Sequence, residues 1–145
     1  MNKTIYIGAD HAGFTLKETL VRTLTAEGWD MEDMGTDRKD SCDYPDFAHA
    51  VCGKVLETGA FGMLICGTGI GMSMAANRHK GIRAALCIHE FHARASREHN
   101  NANILCLGER VTAPGLALEI ARTFLAAGYE GGRHQKRVEK IDAVP

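Results

Sequence analysis

Cys66-Gly67-Thr68-Gly69-Ile70-Gly71 places a thiol directly ahead of three closely spaced glycines. Such a turn lets successive backbone N–H groups converge on an anion. A cysteine at a helix entrance can have its thiolate favoured by the helix dipole. A free thiol titrates near about 8.5, so a modest downward shift makes a usable base or nucleophile. The plainer alternative is a buried cysteine that ends a strand before a structural turn. Sharper motifs fail here. The spacing is Gly-x-Gly-x-Gly, not the dinucleotide Gly-x-Gly-x-x-Gly, and Ile88 and His89 stand where an acidic ribose partner belongs. A phosphatase loop would want an arginine after Cys66, where Met72 lies, and no Gly-Lys-Ser/Thr ends the turn as in a P-loop.

Asp10-His11 follows the first apolar run, where a His beside an Asp can orient, donate or accept protons. The alternative is an Asp capping a turn next to an exposed His. Arg97-Glu98-His99-Asn100-Asn101 offers an acid/base histidine and sugar-binding amides, or simply a helix end. Arg110, Arg133 and Arg137 are candidate phosphate ligands through their guanidinium forks, or a solvated basic tail. Cys87, His89 and His92 lack the spacing of a known metal set, so no metal is expected. Met72 and Met74 read as core filling.

These residues need a scaffold. The chain has 145 residues, 45% hydrophobic, and a net charge of -1. That size suits a single domain spanning residues 1–145 with a basic C-terminal tail. The balanced charge and the 6% aromatic content argue against nucleic-acid or membrane partners. Five cysteines without paired spacing point to reduced thiols and a cytoplasmic location. Short apolar runs at Thr4–Ala9, Phe61–Cys66, Ile82–Ile88 and Ile104–Leu107, and a weaker strand candidate with alternating acidic residues at Trp29–Met34, are separated by helical spacing. Thr15 and Glu18 fit a capping box ahead of Leu16, Leu20 and Leu24, with Lys17 off that apolar face. Pro114 opens a last long helix and Gly128 closes it. Regular βα alternation predicts an α/β, doubly wound, three-layer, Rossmann-like sandwich with a five-stranded parallel sheet in order 2-1-3-4-5. Its switch point lies between the first and third strands, so Asp10 and His11 should face Cys66–Gly71.

Five segments in one order then become informative: Gly8-Ala9-Asp10-His11-Ala12-Gly13, Asp43-Tyr44-Pro45, Cys66–Gly71, Ser96-Arg97-Glu98-His99-Asn100 and Gly131-Gly132-Arg133-His134-x-x-Arg137. Together they resemble the type B ribose-5-phosphate isomerases, within the family shared with galactose-6-phosphate isomerase subunits. The resemblance implies an aldose–ketose isomerisation without metal or organic cofactor. It makes Cys66 the base between C2 and C1, with Thr68 beside it. Gly67, Gly69, Ile70 and Gly71 would stabilise the enediolate oxygen. His99 would open the furanose ring with Asp10 nearby. His11, Arg110, Arg133 and Arg137 would hold phosphate, and Tyr44 and Asn100 would line the sugar. It also implies a homodimer or dimer of dimers with shared active sites. Interconversion of D-ribose 5-phosphate and D-ribulose 5-phosphate is the leading expectation. A six-carbon substrate (allose or galactose 6-phosphate) and a non-catalytic sugar-phosphate binding module are the alternatives.

Overall fold

Each of the four apolar runs and the weaker candidate at Trp29–Met34 becomes a strand in the computed structural model, which describes residues 2–145. In chain order the elements are β1 (Thr4–Ala9), α1 (Phe14–Ala26), β2 (Asp30–Asp33), α2 (Tyr44–Thr58), β3 (Phe61–Cys66) and α3 (Ile70–Ala76). They continue with β4 (Ala84–Leu86), α4 (Glu90–Asn100), β5 (Ile104–Gly108), α5 (Pro114–Ala126), a 3-10 turn (Gly132–His134) and α6 (Gln135–Asp142). All pairings are parallel. The strands that are buried on both faces are those with continuous apolar runs, β3 and β5.

The sheet order is β2-β1-β3-β5-β4, so the last two strands exchange places relative to the expected 2-1-3-4-5. Burial explains the exchange. Ile104–Gly108 is wholly buried and takes the inner position, whereas Ala84–Leu86 is short, half-buried and preceded by Arg83, as suits an edge. The exchange also moves a helix. α4 now steps back along the sheet from β4 to β5, and with right-handed crossovers it joins α1 and α5 on one face. α2 and α3 pack together on the other. One core lies between the sheet and α1, α4 and α5, around Ile5, Ile7, Leu16, Leu105 and Phe124. The second lies beneath α2 and α3, around Val51, Val55, Leu64, Met72 and Ile104.

Several local expectations change. No capping box forms, because α1 starts two residues earlier, at Phe14, with Gly13 as its N-cap and Thr15 already inside the helix. Lys17 is fully buried rather than off the apolar face, with Nζ 2.6 Å from Asp33 and 2.9 Å from Glu18. It ties α1 to the otherwise acidic, exposed edge strand β2. α5 ends at Ala126 on an extended Ala127, before Gly128. Met72 is core, but Met74 is 66% exposed, one helical turn from exposed Ile70.

Candidate active site

Three neighbouring strands, β1, β3 and β5, end side by side, with Ala9 paired to Ile65 and Cys66 to Gly108. β3 leads to α3 on one face, while β1 and β5 lead to α1 and α5 on the other. Divergent connections leave a crevice at the strand ends, where ligands bind in such sheets. Cys66 sits there, buried, as the last residue of β3.

The turn after Cys66 folds back onto its sulfur. The Gly69 N–H donates to Cys66 Sγ at 3.1 Å. Gly69 has φ +78°, and an added Cβ would lie 2.5 Å from Leu86 Cδ1 and 3.0 Å from the Leu107 carbonyl carbon. Only glycine fits there. The Thr68 hydroxyl accepts from the Ile70 N–H at 3.2 Å. From the neighbouring loop, Glu109 N–H donates to Cys66 O and Arg110 N–H to Gly67 O, each at 3.0 Å. The Arg110 side chain lies over Gly67, with Nη1 3.1 Å from where a Cβ would stand. Tyr44, on the first turn of α2, packs its ring against Gly71 so closely that no side chain fits there.

Asp10 completes the wall by holding its own turn. Its N–H donates to Ile65 O at 3.3 Å. Its Oδ1 accepts from Ala12 N–H at 3.0 Å and Gly13 N–H at 3.1 Å. His11 Nδ1 accepts the Cys42 N–H at 3.2 Å. That bond assigns the neutral ring's proton to Nε2, leaving Nε2–H as the donor it can offer an oxyanion.

Three of the other thiols sit deep in the two cores. Burial pushes Cys52 up to about 12 and Cys87 up to about 11, and it raises Cys106 well above the ordinary thiol value. Cys52 and Cys87 point at carbonyls of Ala76 and Ala85, at 3.9 and 3.7 Å. Cys66 is the one whose sulfur accepts a backbone N–H among the described residues. His89 and His92 form no metal set with Cys87. His89 caps α4, its Nδ1 accepting the His92 N–H at 3.4 Å.

The remaining candidates stand elsewhere. α4 runs back along the sheet, so His99 and Asn100 lie at the edge where β3 and β5 begin. Beyond Asn100, the Asn103 carbonyl accepts from Gly62 N–H at 2.9 Å. Arg97 lies 4.5 Å over Phe61, the first residue of β3. The five steps of β3 from Phe61 to Cys66 span roughly 16 Å. The C-terminal tail joins this far edge: Glu130 N–H donates to Glu98 O at 3.0 Å, and Arg83 Nη1 pairs with Asp142 at 2.8 Å. Exposed Arg133, in the 3-10 turn, and exposed Arg137, in α6, come with it. Within one chain, therefore, Asp10, His11, Tyr44, Cys66–Gly71 and Arg110 form one group. His99, Asn100, Arg133 and Arg137 belong to another. His134, buried and stacked on His99 at 4.5 Å between ring centroids, joins that second group. The sequence reading gave His134 no role, although it lies between the two tail arginines.

Residues 5–141 match the family described as Ribose/Galactose Isomerase. Ribose-5-phosphate isomerase B of Escherichia coli (strain K12) is 45% identical over 146 residues, covering 98% of this chain and 96% of the relative. A Thermotoga maritima ribose 5-phosphate isomerase structure is 50% identical, with a TM-score of 0.97 over 99% of this chain and 100% of that one. The ribose-5-phosphate isomerase B of Mycoplasma genitalium, solved with bound ribulose-5-phosphate, is 43% identical, with a TM-score of 0.92 over 96% of this chain and 93% of that one. On a match spanning nearly its whole length, the chain belongs to the ribose/galactose isomerase family.

Proposed function

We propose that this protein interconverts D-ribose 5-phosphate and D-ribulose 5-phosphate, with Cys66 as the base. The observation that carries the reading is the turn that wraps Cys66. A buried sulfur stands at the strand ends, a backbone N–H points at it, and glycine amides follow. Moving a proton between C2 and C1 requires a base and a preorganised donor for the growing oxyanion. Cys66 takes the C2 proton and returns it to C1 while the hydroxyl proton passes from O2 to O1; amides of Gly67, Gly69, Ile70 and Gly71 hold the enediolate oxygen, with Thr68 beside them. Phosphate, which does not react, anchors the sugar and provides remote binding energy. Arg110 supplies a cation at this end, and His11 offers its Nε2–H as a further donor.

Ring opening falls to His99 with Asp10 nearby, Arg133 and Arg137 complete the phosphate grip, and Tyr44 and Asn100 line the sugar. The start of β3, the edge at which His99 and Asn100 stand, is roughly 16 Å from Cys66 in one chain. A two-fold dimer that sets the two edges against each other brings His99 of a second copy to Cys66. Exposed Ile70, Met74, Ile88 and Phe91 around the β4 edge support such self-association. Five free cysteines support a cytoplasmic location. Among the described residues, no helix is long and apolar enough to cross a membrane.

The test follows ketopentose formation from D-ribose 5-phosphate in EDTA, for the wild type and for Cys66→Ala. Loss of a positioned base should lower kcat by about 10²–10⁴ while ribose 5-phosphate still binds. Full turnover in Cys66→Ala would refute the base assignment. An inactive wild type that isomerises six-carbon sugar phosphates would shift the substrate class.

A further inference from the structure

His99, Glu130 and His134 each bring one ligand-type atom into a cluster whose members all lie within 4.8 Å of one another. The frame that holds them is firm. His99 ends α4, Glu130 is tied to that helix through Glu98 O, and His134 closes the 3-10 turn. His134 is 7% exposed. Its Nε2 is buried and, among the described residues, has no hydrogen-bond partner. Glu130 Oε2 stands 3.4 Å away from that nitrogen. A charge-assisted hydrogen bond would close to about 2.7–2.9 Å. A tetrahedral zinc with bonds of about 2.1 Å holds its donors roughly 3.4 Å apart, which is the spacing of this one pair, and His99 lies within 4.8 Å of both.

We propose that His99, Glu130 and His134 form a binding site for a divalent first-row transition metal, with Zn²⁺ as its natural probe. Two imidazoles and one carboxylate suit such ions and leave a coordination position for water or a sugar hydroxyl. The rings of His99 and His134 stack within 15° of parallel, so His99 tilts to bring its nitrogen to the ion. Half-buried at the helix end, it has room to do so. The other close histidine pair is a poor rival, because His49 Nδ1 and His79 Nε2 are 2.6 Å apart, a hydrogen bond too short to straddle an ion. The consequence rests on the functional reading above. If His99 opens the sugar ring, an ion on its nitrogen removes that group, so the metal is an inhibitor rather than a cofactor.

The full-length protein, kept reduced, is titrated with Zn²⁺ by calorimetry and with Co²⁺ by absorption, for the wild type, Glu130→Gln and His79→Gln. One equivalent should bind the wild type. The Co²⁺ form should show visible ligand-field bands without a sulfur-to-metal charge-transfer band. Glu130→Gln should weaken affinity by at least about tenfold, and His79→Gln should not. In isomerase assays Zn²⁺ should inhibit the wild type, EDTA should reverse the effect, and Glu130→Gln should keep its basal rate but need at least about tenfold more Zn²⁺. Absent binding, a sulfur band, unchanged affinity in Glu130→Gln or lost affinity in His79→Gln would each overturn the site. A wild type inactive in EDTA would overturn the functional reading instead, and the Co²⁺ spectra would still decide the metal site.

Discussion

Gly69 shows how much one residue decides. Its positive φ and its lack of a side chain, for which Leu86 leaves no room, let its N–H turn onto the Cys66 sulfur. Gly69→Ala is predicted to cost about 1–2 kcal/mol from the left-handed backbone alone, and more from the clash. Turnover should fall with it, as urea unfolding and kcat measured on the same preparation would show. The cysteines divide by the same local logic. Cys52, Cys87 and Cys106 are held as neutral thiols by burial, so an alkylating reagent at about pH 8 should leave them unmodified until the chain unfolds. Mass spectrometry of the native and the urea-treated protein distinguishes the two states. Alkylation of Cys106 in the native protein would contradict the packing described.

At the scale of elements, α2 and the turn after α3 meet through His49 and His79. Burial, followed by the neighbouring His49, holds His79 below its ordinary value of 6.5. The unfolded chain therefore takes up this proton first. Stability from the contact is complete above about pH 6.5 and is lost as pH falls toward the folded-state value. The unfolding midpoint should drop between about pH 7 and pH 5, and His79→Gln should flatten that slope. An unchanged slope in the variant would assign the acid sensitivity to other groups. The exchange of β4 and β5 belongs to this scale as well. The more apolar strand takes the inner place, and α4 follows it to the face of α1 and α5; its return along the sheet, whatever the face, carries His99 away from Cys66.

At the scale of the whole molecule, that separation makes an assembly prediction. Cys66→Ala and His99→Ala are each expected to be inactive as homodimers. Co-refolded in equal amounts, they should recover about a quarter of the wild-type activity, because half the dimers are mixed and each mixed dimer keeps one intact site. Size-exclusion chromatography with activity assays on the mixture checks it. No recovery would exclude a site built from two copies.

The βα alternation, the strand positions and the grouping of Asp10 and His11 with Cys66 were legible in the sequence. Apolar runs and glycine turns are local signals, and the switch-point rule converts them into a place. The strand order was hidden, because it depends on which strand is most deeply buried once all five compete for the centre. Lys17 was misread because its ammonium is buried only where Asp33, sixteen residues away, meets it. The sequence supplied the full set of candidate groups, Cys66 and His99 alike. Only the tertiary structure decided that they stand at opposite edges of the sheet, since a helix that returns along its strands carries its last residues to the end where those strands begin.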